Sequence, residues 1–333
     1  MSIQVTRLIL SFEHEISFQP LTQGAKIDHK TIDQLLAAIS KAECSILLPD
    51  KSSHGLFHSF PEAIQRPAEF VYKYVEKYTS KIRSNVKCRK YSDKDILACQ
   101  CFLQTHRFID LKEYGISPST VYERVQRWIK NSVFKFAFND MVSDYVTECL
   151  QKDKSHFKNL ITDTTYLKNV QGRDCLGRNS SDRGRNASKF SLVTDVNSAP
   201  IAYSIHPGNC PDIHTALKTV DKISCPLNTD KRMKSNLLAD KAYACVKNNK
   251  FRTQLLERGY RLVVHPKANF RDRYISQHDR YLLQHYRCNI EHCFGRMKAT
   301  APTRLWLRYD HTVEMLEVHL VVNLMRTLFV KMS

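Results

Sequence analysis

Leu160-Ile161-Thr162-Asp163-Thr164-Thr165-Tyr166 is a short β-prone run with a carboxylate set just past its apolar part. Leu237-Leu238-Ala239-Asp240-Lys241-Ala242-Tyr243 repeats that arrangement. In an open α/β sheet the carboxyl ends of parallel strands are where ligands bind, so two strands that end in aspartate would present two carboxylates side by side. The ordinary alternative for a strand-end Asp is a turn residue or a helix cap. A third acid, Glu291 in Arg287-Cys288-Asn289-Ile290-Glu291, falls on a basic amphipathic helix. Two strand-end carboxylates and one helical carboxylate can hold a pair of Mg²⁺ ions against a phosphodiester.

The segments around these acids alternate between strand and helix patterns. Phe190–Asp195 and Ile201–His206 are β-rich runs joined through Val196-Asn197-Ser198-Ala199-Pro200, which predicts a hairpin. Pro211–Ile223 and Lys250–Arg258 read as helices, and Leu237–Ala239 and Arg261–His265 as strands. A long helix carrying Glu291 follows. The order β-β-β-α-β-α-β-α predicts a meander of three strands followed by parallel strands separated by helices. At roughly 100° per residue, Arg287, Glu291 and Lys298 project within about 40° of one another on the last helix. Leu283, Ile290, Phe294 and Met297 form a neighbouring apolar stripe that would dock it on the sheet. Arg287 and Lys298 therefore flank the acid and are placed to contact phosphates.

On the N-terminal side, Ser92 with Asp95 resembles a capping box opening a helix whose buried residues are Ile96, Leu97, Phe102 and Leu103. Tyr114-Gly115-Ile116-Ser117 supplies a turn, with Ser117 as N-cap and Pro118 at the first helical position. Val121, Val125, Trp128 and Ile129 then form one apolar stripe, leaving Ser119, Thr120, Tyr122, Glu123, Arg124, Gln126 and Arg127 to face outward. This is the pattern of a helix-turn-helix whose second helix enters the major groove; an ordinary helical hairpin is the competing reading. The chain thus divides into residues 1–60, with a hint of a strand over Ile3–Leu10 and of a helix over Thr31–Ser40 but no readable role, a helical and basic linker over 61–91, a helix-turn-helix region over 92–150, and an α/β domain over 155–333.

The charge balance points the same way. The chain carries 51 Lys and Arg against 33 Asp and Glu, a formal net charge of +18. The bases are clustered: Lys81, Arg83, Lys87, Arg89 and Lys90 stand together without an acid, and Lys168, Arg173, Arg178, Arg183, Arg185 and Lys189 crowd the stretch before the hairpin. Such clusters suit a polyanion, because neutralised phosphates release counterions. The eleven cysteines are odd in number and form no C-x-x-C, which fits reduced thiols in an intracellular protein better than a disulfide framework or a zinc site. Cys288, His292 and Cys293 share the helix of Glu291, where free cysteine is the usual explanation and metal ligation the rarer one. The most apolar stretch, Leu316–Val330, is broken by Glu317, His319, Asn323 and Arg326 and reads as a buried helix rather than a membrane span.

Several blocks together resemble one family. Thr162-Asp163-Thr164-Thr165-Tyr166, Asp182-Arg183-Gly184-Arg185 before the hairpin, His206-Pro207-Gly208-Asn209 followed by Asp212, Ala239-Asp240-Lys241-Ala242-Tyr243, and Tyr286-Arg287-x₃-Glu291-x₂-Phe294-Gly295-Arg296-x-Lys298 occur in the order seen in DDE transposases. The chain resembles the insertion-sequence-4/insertion-sequence-5 type, closest to the insertion-sequence-5 group, over residues 155–330 and the helix-turn-helix before them. The resemblance implies an RNase H-like catalytic domain, a mixed sheet flanked by helices, and Asp163, Asp240 and Glu291 binding two Mg²⁺ or Mn²⁺ ions. It implies that Arg287, Lys298, Arg183, Arg185 and Lys241 contact DNA beside the site, and it joins them to Ser119, Thr120, Tyr122, Arg124 and Arg127 of the second helix. The partners implied are terminal inverted repeats, target DNA and a second copy in a homodimer. Two departures stand out: Gln284 replaces the family's tyrosine three residues before the Arg, and Lys189 stands where relatives carry small residues. A domesticated nuclease and a catalytically silent DNA-binding protein are the alternatives.

Overall fold

A computed structural model describes residues 55–82, 90–169, 171–179, 182–228, 234–245, 249–270, 274–299, 307–308 and 310–333. The expectations for residues 1–54 and for most of the basic stretch 83–89 lie outside the described residues.

The sheet forms around β1 (Asn159–Asn169), whose centre is the run read first above. β3 (Asn186–Asp195) pairs antiparallel with it, placing Asp163 opposite Leu192 and Tyr166 opposite Lys189. β4 (Pro200–Pro207) returns along β3 as the expected hairpin, with a register shift between Val193 and Thr194. The turn is held by a carboxylate: Asp195 accepts the backbone N–H groups of Asn197 (2.9 Å) and Ala199 (2.8 Å), and Ser198 takes a left-handed conformation with φ 65°. On its other edge β1 pairs parallel with β5 (Ser235–Ala239), and β5 pairs parallel with β6 (Tyr260–Val263). The main path is therefore β4-β3-β1-β5-β6, three antiparallel strands and then parallel ones, which is the RNase H-like arrangement. Short β2 (Gly177–Arg178) extends the β3 edge, and β7 (Leu307–Arg308) pairs with the far end of β1. Gly208 is required where β2 meets β3: a Cβ there would lie 2.6 Å from the carbonyl oxygen of Gly177 and 2.7 Å from that of Ala187.

Alternation along β3 separates the two faces of the sheet. Ser191 faces α5 (Asp212–Val220), accepting a hydrogen bond from Thr219 at 2.8 Å. Phe190 faces the other way and packs on Phe294. That second face is covered by α8 (Asn289–Ala299), the long α9 (Val313–Met332) and α4 (Val133–Lys152), whose Phe138 meets Tyr203 of β4. α6 (Lys250–Glu257) packs against β6, and α7 (Gln277–Tyr286) leads into α8.

The helices before the sheet join the same core. α1 (Glu62–Thr79) buries Ile64, Ala68, Val71 and Val75 and packs on α2, α4 and α9. α2 (Asp93–Phe102) opens on the expected capping box, in which the Ser92 hydroxyl accepts from Asp95 N–H at 3.1 Å and the Asp95 carboxylate accepts from Ser92 N–H at 2.7 Å. α3 (Pro118–Lys130) buries Val121, Val125 and Trp128 as the spacing required. Two details differ from the sequence reading. A 3-10 segment, Phe108–Tyr114, stands between α2 and the Gly115 turn, so the connection is longer than a bare turn. Ser117 occupies the N-cap position, but its hydroxyl bonds to Ser119 Oγ (2.7 Å) and caps no backbone group. Ser53–Ser333 form one compact unit, and no break in the packing falls between α4 and β1.

Candidate active site

The parallel register of β1 and β5 ends at Thr162 opposite Ala239. Asp163 and Asp240 are the next residues on each strand, so their carboxylates emerge from neighbouring strands at the same level, at the carboxyl ends where ligands bind. Asp240 is also the N-cap of a short 3-10 turn, Lys241–Tyr243, accepting Lys241 N–H at 2.6 Å. The structural role and the site role thus coexist in one residue. Asp163 shares the face of Leu192 and Phe190, the face that α8 covers.

Glu291 reaches this place from the first turn of α8. The expected single long helix is in fact two: α7 ends at Tyr286, and α8 begins at Asn289. The break has a visible partner, because Asn289 is pinned to the β3–β4 turn. Its side chain donates to the Val196 carbonyl (2.6 Å), and its own carbonyl accepts from Ser198 Oγ (2.7 Å). The apolar stripe survives the break, with Leu283, Ile290, Phe294 and Met297 all buried. So does the contact across it. The Arg287 guanidinium donates to Glu291 at 2.5 Å and lies 3.2 Å from Asp240. Arg287 is 26% exposed, whereas Asp240 and Glu291 are 51% and 56% exposed. One half-buried guanidinium therefore gathers two carboxylates that solvent can reach.

Asp163 is the deepest of the three. Burial pushes its carboxyl up to about 6; the Thr164 N–H at 2.8 Å and Arg287 pull it down, while Asp240 and Glu291 push it up further. Three carboxylates that raise one another's affinity for positive charge are a donor set suited to hard divalent cations, which take oxygen ligands. Arg287 is the positive charge that gathers them here, and among the described residues no three acid, His or Cys side chains stand at metal-ligand spacing. A metal pair would therefore require Asp240 and Glu291 to turn from Arg287, and their exposure leaves room for that.

The back of β1 carries a network that no spacing in the sequence revealed. Lys189 is 5% exposed, and its ammonium donates to the Asp212 carboxylate and to the Cys210 carbonyl, both at 2.7 Å. It also lies 5.0 Å from the Tyr166 ring centroid. Thr164 Oγ1 donates to the same Asp212 oxygen at 3.2 Å. Burial works against the charged Lys189, yet the Asp212 carboxylate outweighs it and the ammonium pKa is raised. Nearby Tyr243 is buried and its phenol is pushed well above its ordinary value, with Asp163 and Asp212 adding to the effect of burial. The departure at Lys189 is thus half of an ion pair with Asp212, and the cross-strand register that joins them is what the linear sequence does not display.

The remaining basic residues are scattered. Lys241 is exposed next to Asp240. Arg183 and Arg185 are exposed on the β2–β3 connection, where Arg183 and Gly184 have φ 51° and 73°. Lys298 lies in α8, with its side chain outside the described residues. On α3, Ser119, Tyr122 and Arg127 are exposed and Thr120 is half-buried. Arg124 is not on the outward face: its guanidinium pairs with Asp93 at the start of α2, leaving it 11% exposed, and so it ties the two helices together. Of the rare-metal trio, Cys293 is buried while Cys288 and His292 are exposed. No described helix is long and apolar enough to cross a membrane.

Residues 162–324, which include all three acids, match the family model of the transposase DDE domain, and the chain carries that domain there. Solved structures with a similar course include the piggyBac transposase synaptic complex with hairpin DNA, at 11% identity and TM-score 0.41, covering 81% of this chain and 71% of that one. The catalytic domain of Mos1 mariner transposase is 10% identical with TM-score 0.30, covering 58% and 89%. The same domain with Raltegravir and Mn is 10% identical with TM-score 0.24, covering 50% and 92%. No curated protein matches the chain.

Proposed function

We propose that this protein is a DNA transposase that binds the ends of a mobile element and cuts and joins DNA strands through Asp163, Asp240 and Glu291. The observation that carries the proposal is the convergence of these acids on Arg287, inside the segment that matches the DDE domain. Asp163 and Asp240 are set by the strand ends and Glu291 by α8, so two fixed elements hold the ligand set. A pair of Mg²⁺ or Mn²⁺ ions bound there supplies an activated attacking oxygen, first of water and then of a DNA 3′-hydroxyl, and a stabilised leaving oxygen.

The chain's own residues do the rest. Arg287 offers a planar fork that grips a phosphate with two parallel hydrogen bonds once it leaves the carboxylates. Lys241, Arg183, Arg185 and Lys298 add phosphate contacts around it. The division of labour gives residues 92–150 the reading of terminal repeats, through Ser119, Thr120, Tyr122 and Arg127 on α3, and residues 155–333 the chemistry. The assignment to the insertion-sequence-5 group rests on the motif blocks, and a homodimer would place one site on each element end.

The test is a nicking assay on duplexes carrying the element's inverted repeats. Activity should require Mg²⁺ or Mn²⁺ and vanish in Asp163→Asn; full activity in that variant would sink the assignment. A second assay with a 3′-hydroxyl end separates strand joining from cleavage alone, and so a transposase from a nuclease.

A further inference from the structure

On the side of α8 away from Glu291 lies a cavity of about 440 Å³. Its walls come from parts of the chain far apart in sequence: the end of α4, the β3–β4 turn, one edge of α8 and the end of α9. At roughly 100° per residue, His292 and Arg296 fall about 40° apart on α8, whereas Glu291 is about 100° or more from both. One helix thus shows the candidate catalytic carboxylate on one edge and two basic side chains on another.

The lining is polar and its charge is lopsided. Lys152, Arg296 and Lys331 stand in the wall with His156 and His292, and Glu148 is the carboxylate among them. Glu148 pairs with Lys152 at 2.6 Å. Asp195 lies behind the wall, fully buried, and its oxygens are taken by Tyr145 OH (2.6 Å), His156 Nε2 (2.9 Å) and the two turn N–H groups. That carboxylate fixes the His156 ring. Burial and the neighbouring Arg296 both depress the Lys331 ammonium, as expected where cations are crowded together. Cavities that serve packing alone are apolar and dry; this one collects cations in a concave site of a size that receives a phosphate with part of its sugar.

We propose that this cavity is a phosphate subsite that takes a backbone phosphate of the bound DNA, across α8 from Glu291. The inference rests on the DNA-cutting reading above, and it adds Lys152, Arg296 and Lys331 to the DNA-contacting groups.

The test is the Lys152→Gln/Lys331→Gln double variant, both positions lying at the rim where the fold tolerates a neutral side chain. Binding of the full-length protein to an inverted-repeat duplex is followed across a salt series. Affinity should fall about tenfold, and the slope of log K against log salt should shrink by about one to two, since each lost phosphate contact removes about 0.9. The Lys152→Arg/Lys331→Arg variant should restore both. An unchanged affinity and slope in the Gln variant would overturn the proposal. So would stabilisation by pyrophosphate that the Gln variant loses while its DNA binding stays intact, because the cavity would then serve a free phosphate. If the wild-type protein shows no salt-dependent DNA binding at all, the DNA-cutting reading fails instead.

Discussion

β1 has two faces with opposite designs. In front, Asp163 joins two exposed carboxylates around one half-buried guanidinium, and the arrangement is electrostatically uneasy. Behind, Lys189 and Asp212 form a sequestered ion pair that also holds Thr164, and every charge there has its partner. The difference teaches how one strand serves chemistry and stability together. The front keeps carboxylates in a state that a cation or phosphate would relieve, and the back fixes the backbone that carries them. Strain at a functional surface persists only where surrounding structure over-determines it.

The comparison can be broken from either side. The largest effect is expected from Asp163→Asn, which should lower metal-dependent nicking by at least about a thousandfold, roughly 4 kcal/mol of transition-state stabilisation. The same variant should not weaken the fold. Because the Asp163 carboxyl is raised from 3.8 to about 6, the folded chain binds the extra proton more tightly than the unfolded chain. Metal-free stability therefore falls as pH rises through that window and stays lower above it. Asp163→Asn should remove this cost, raising Tm above pH 6 by a stabilisation on the order of 1 kcal/mol and leaving it unchanged near pH 3. Thermal denaturation in chelator across pH checks this, and a loss of stability above pH 6 would erase the contrast between the faces.

Asp212→Ala attacks the back. It leaves the Lys189 ammonium buried without its carboxylate, which should cost about 3 kcal/mol in urea denaturation. The double variant Lys189→Met/Asp212→Ala should recover most of that loss, since a buried pair replaced by apolar groups is often nearly neutral. If the double variant is as unstable as the single one, the pair does more than neutralise itself. Ser92→Ala, far from both faces, should cost about 1 kcal/mol through the lost capping box and leave nicking per folded molecule unchanged. The smallest effect belongs to Arg127→Gln on α3. Duplex affinity should fall a few-fold and the salt slope by about one, with Tm unmoved, if the helix lies along DNA.

The sequence carried the front of the strand well and the back poorly. Asp163 and Asp240 were legible because each follows an apolar β-prone run, and the parallel register then brought them level. Glu291 was legible from helical phase, and Arg287 kept its contact with it even though the helix is broken, because four residues span the break as well as a turn. The break itself depends on Asn289 meeting the β3–β4 turn, a contact between residues about ninety positions apart that no local pattern encodes. Lys189 and Asp212 were visible only as an oddity and a motif residue; their pairing needs the hairpin and α5 to be folded first. Arg124 looked outward by phase, but Asp93 of the preceding helix claims it. Local periodicity cannot weigh such tertiary partners.

The single core of Ser53–Ser333 limits how this protein can be rearranged. α4 sends Tyr145 to the Asp195 carboxylate at the β3–β4 turn and Phe138 to Tyr203, so the helical half supplies the sheet with polar anchors as well as apolar cover. Cutting the chain before β1 would strip one face of the sheet and orphan a buried carboxylate. The helical half and the cutting half are grafted rather than hinged. New target preferences must therefore be engineered by substitutions on the surface of α3, and exchanging the helical half as a cassette would forfeit the fold that positions Asp163.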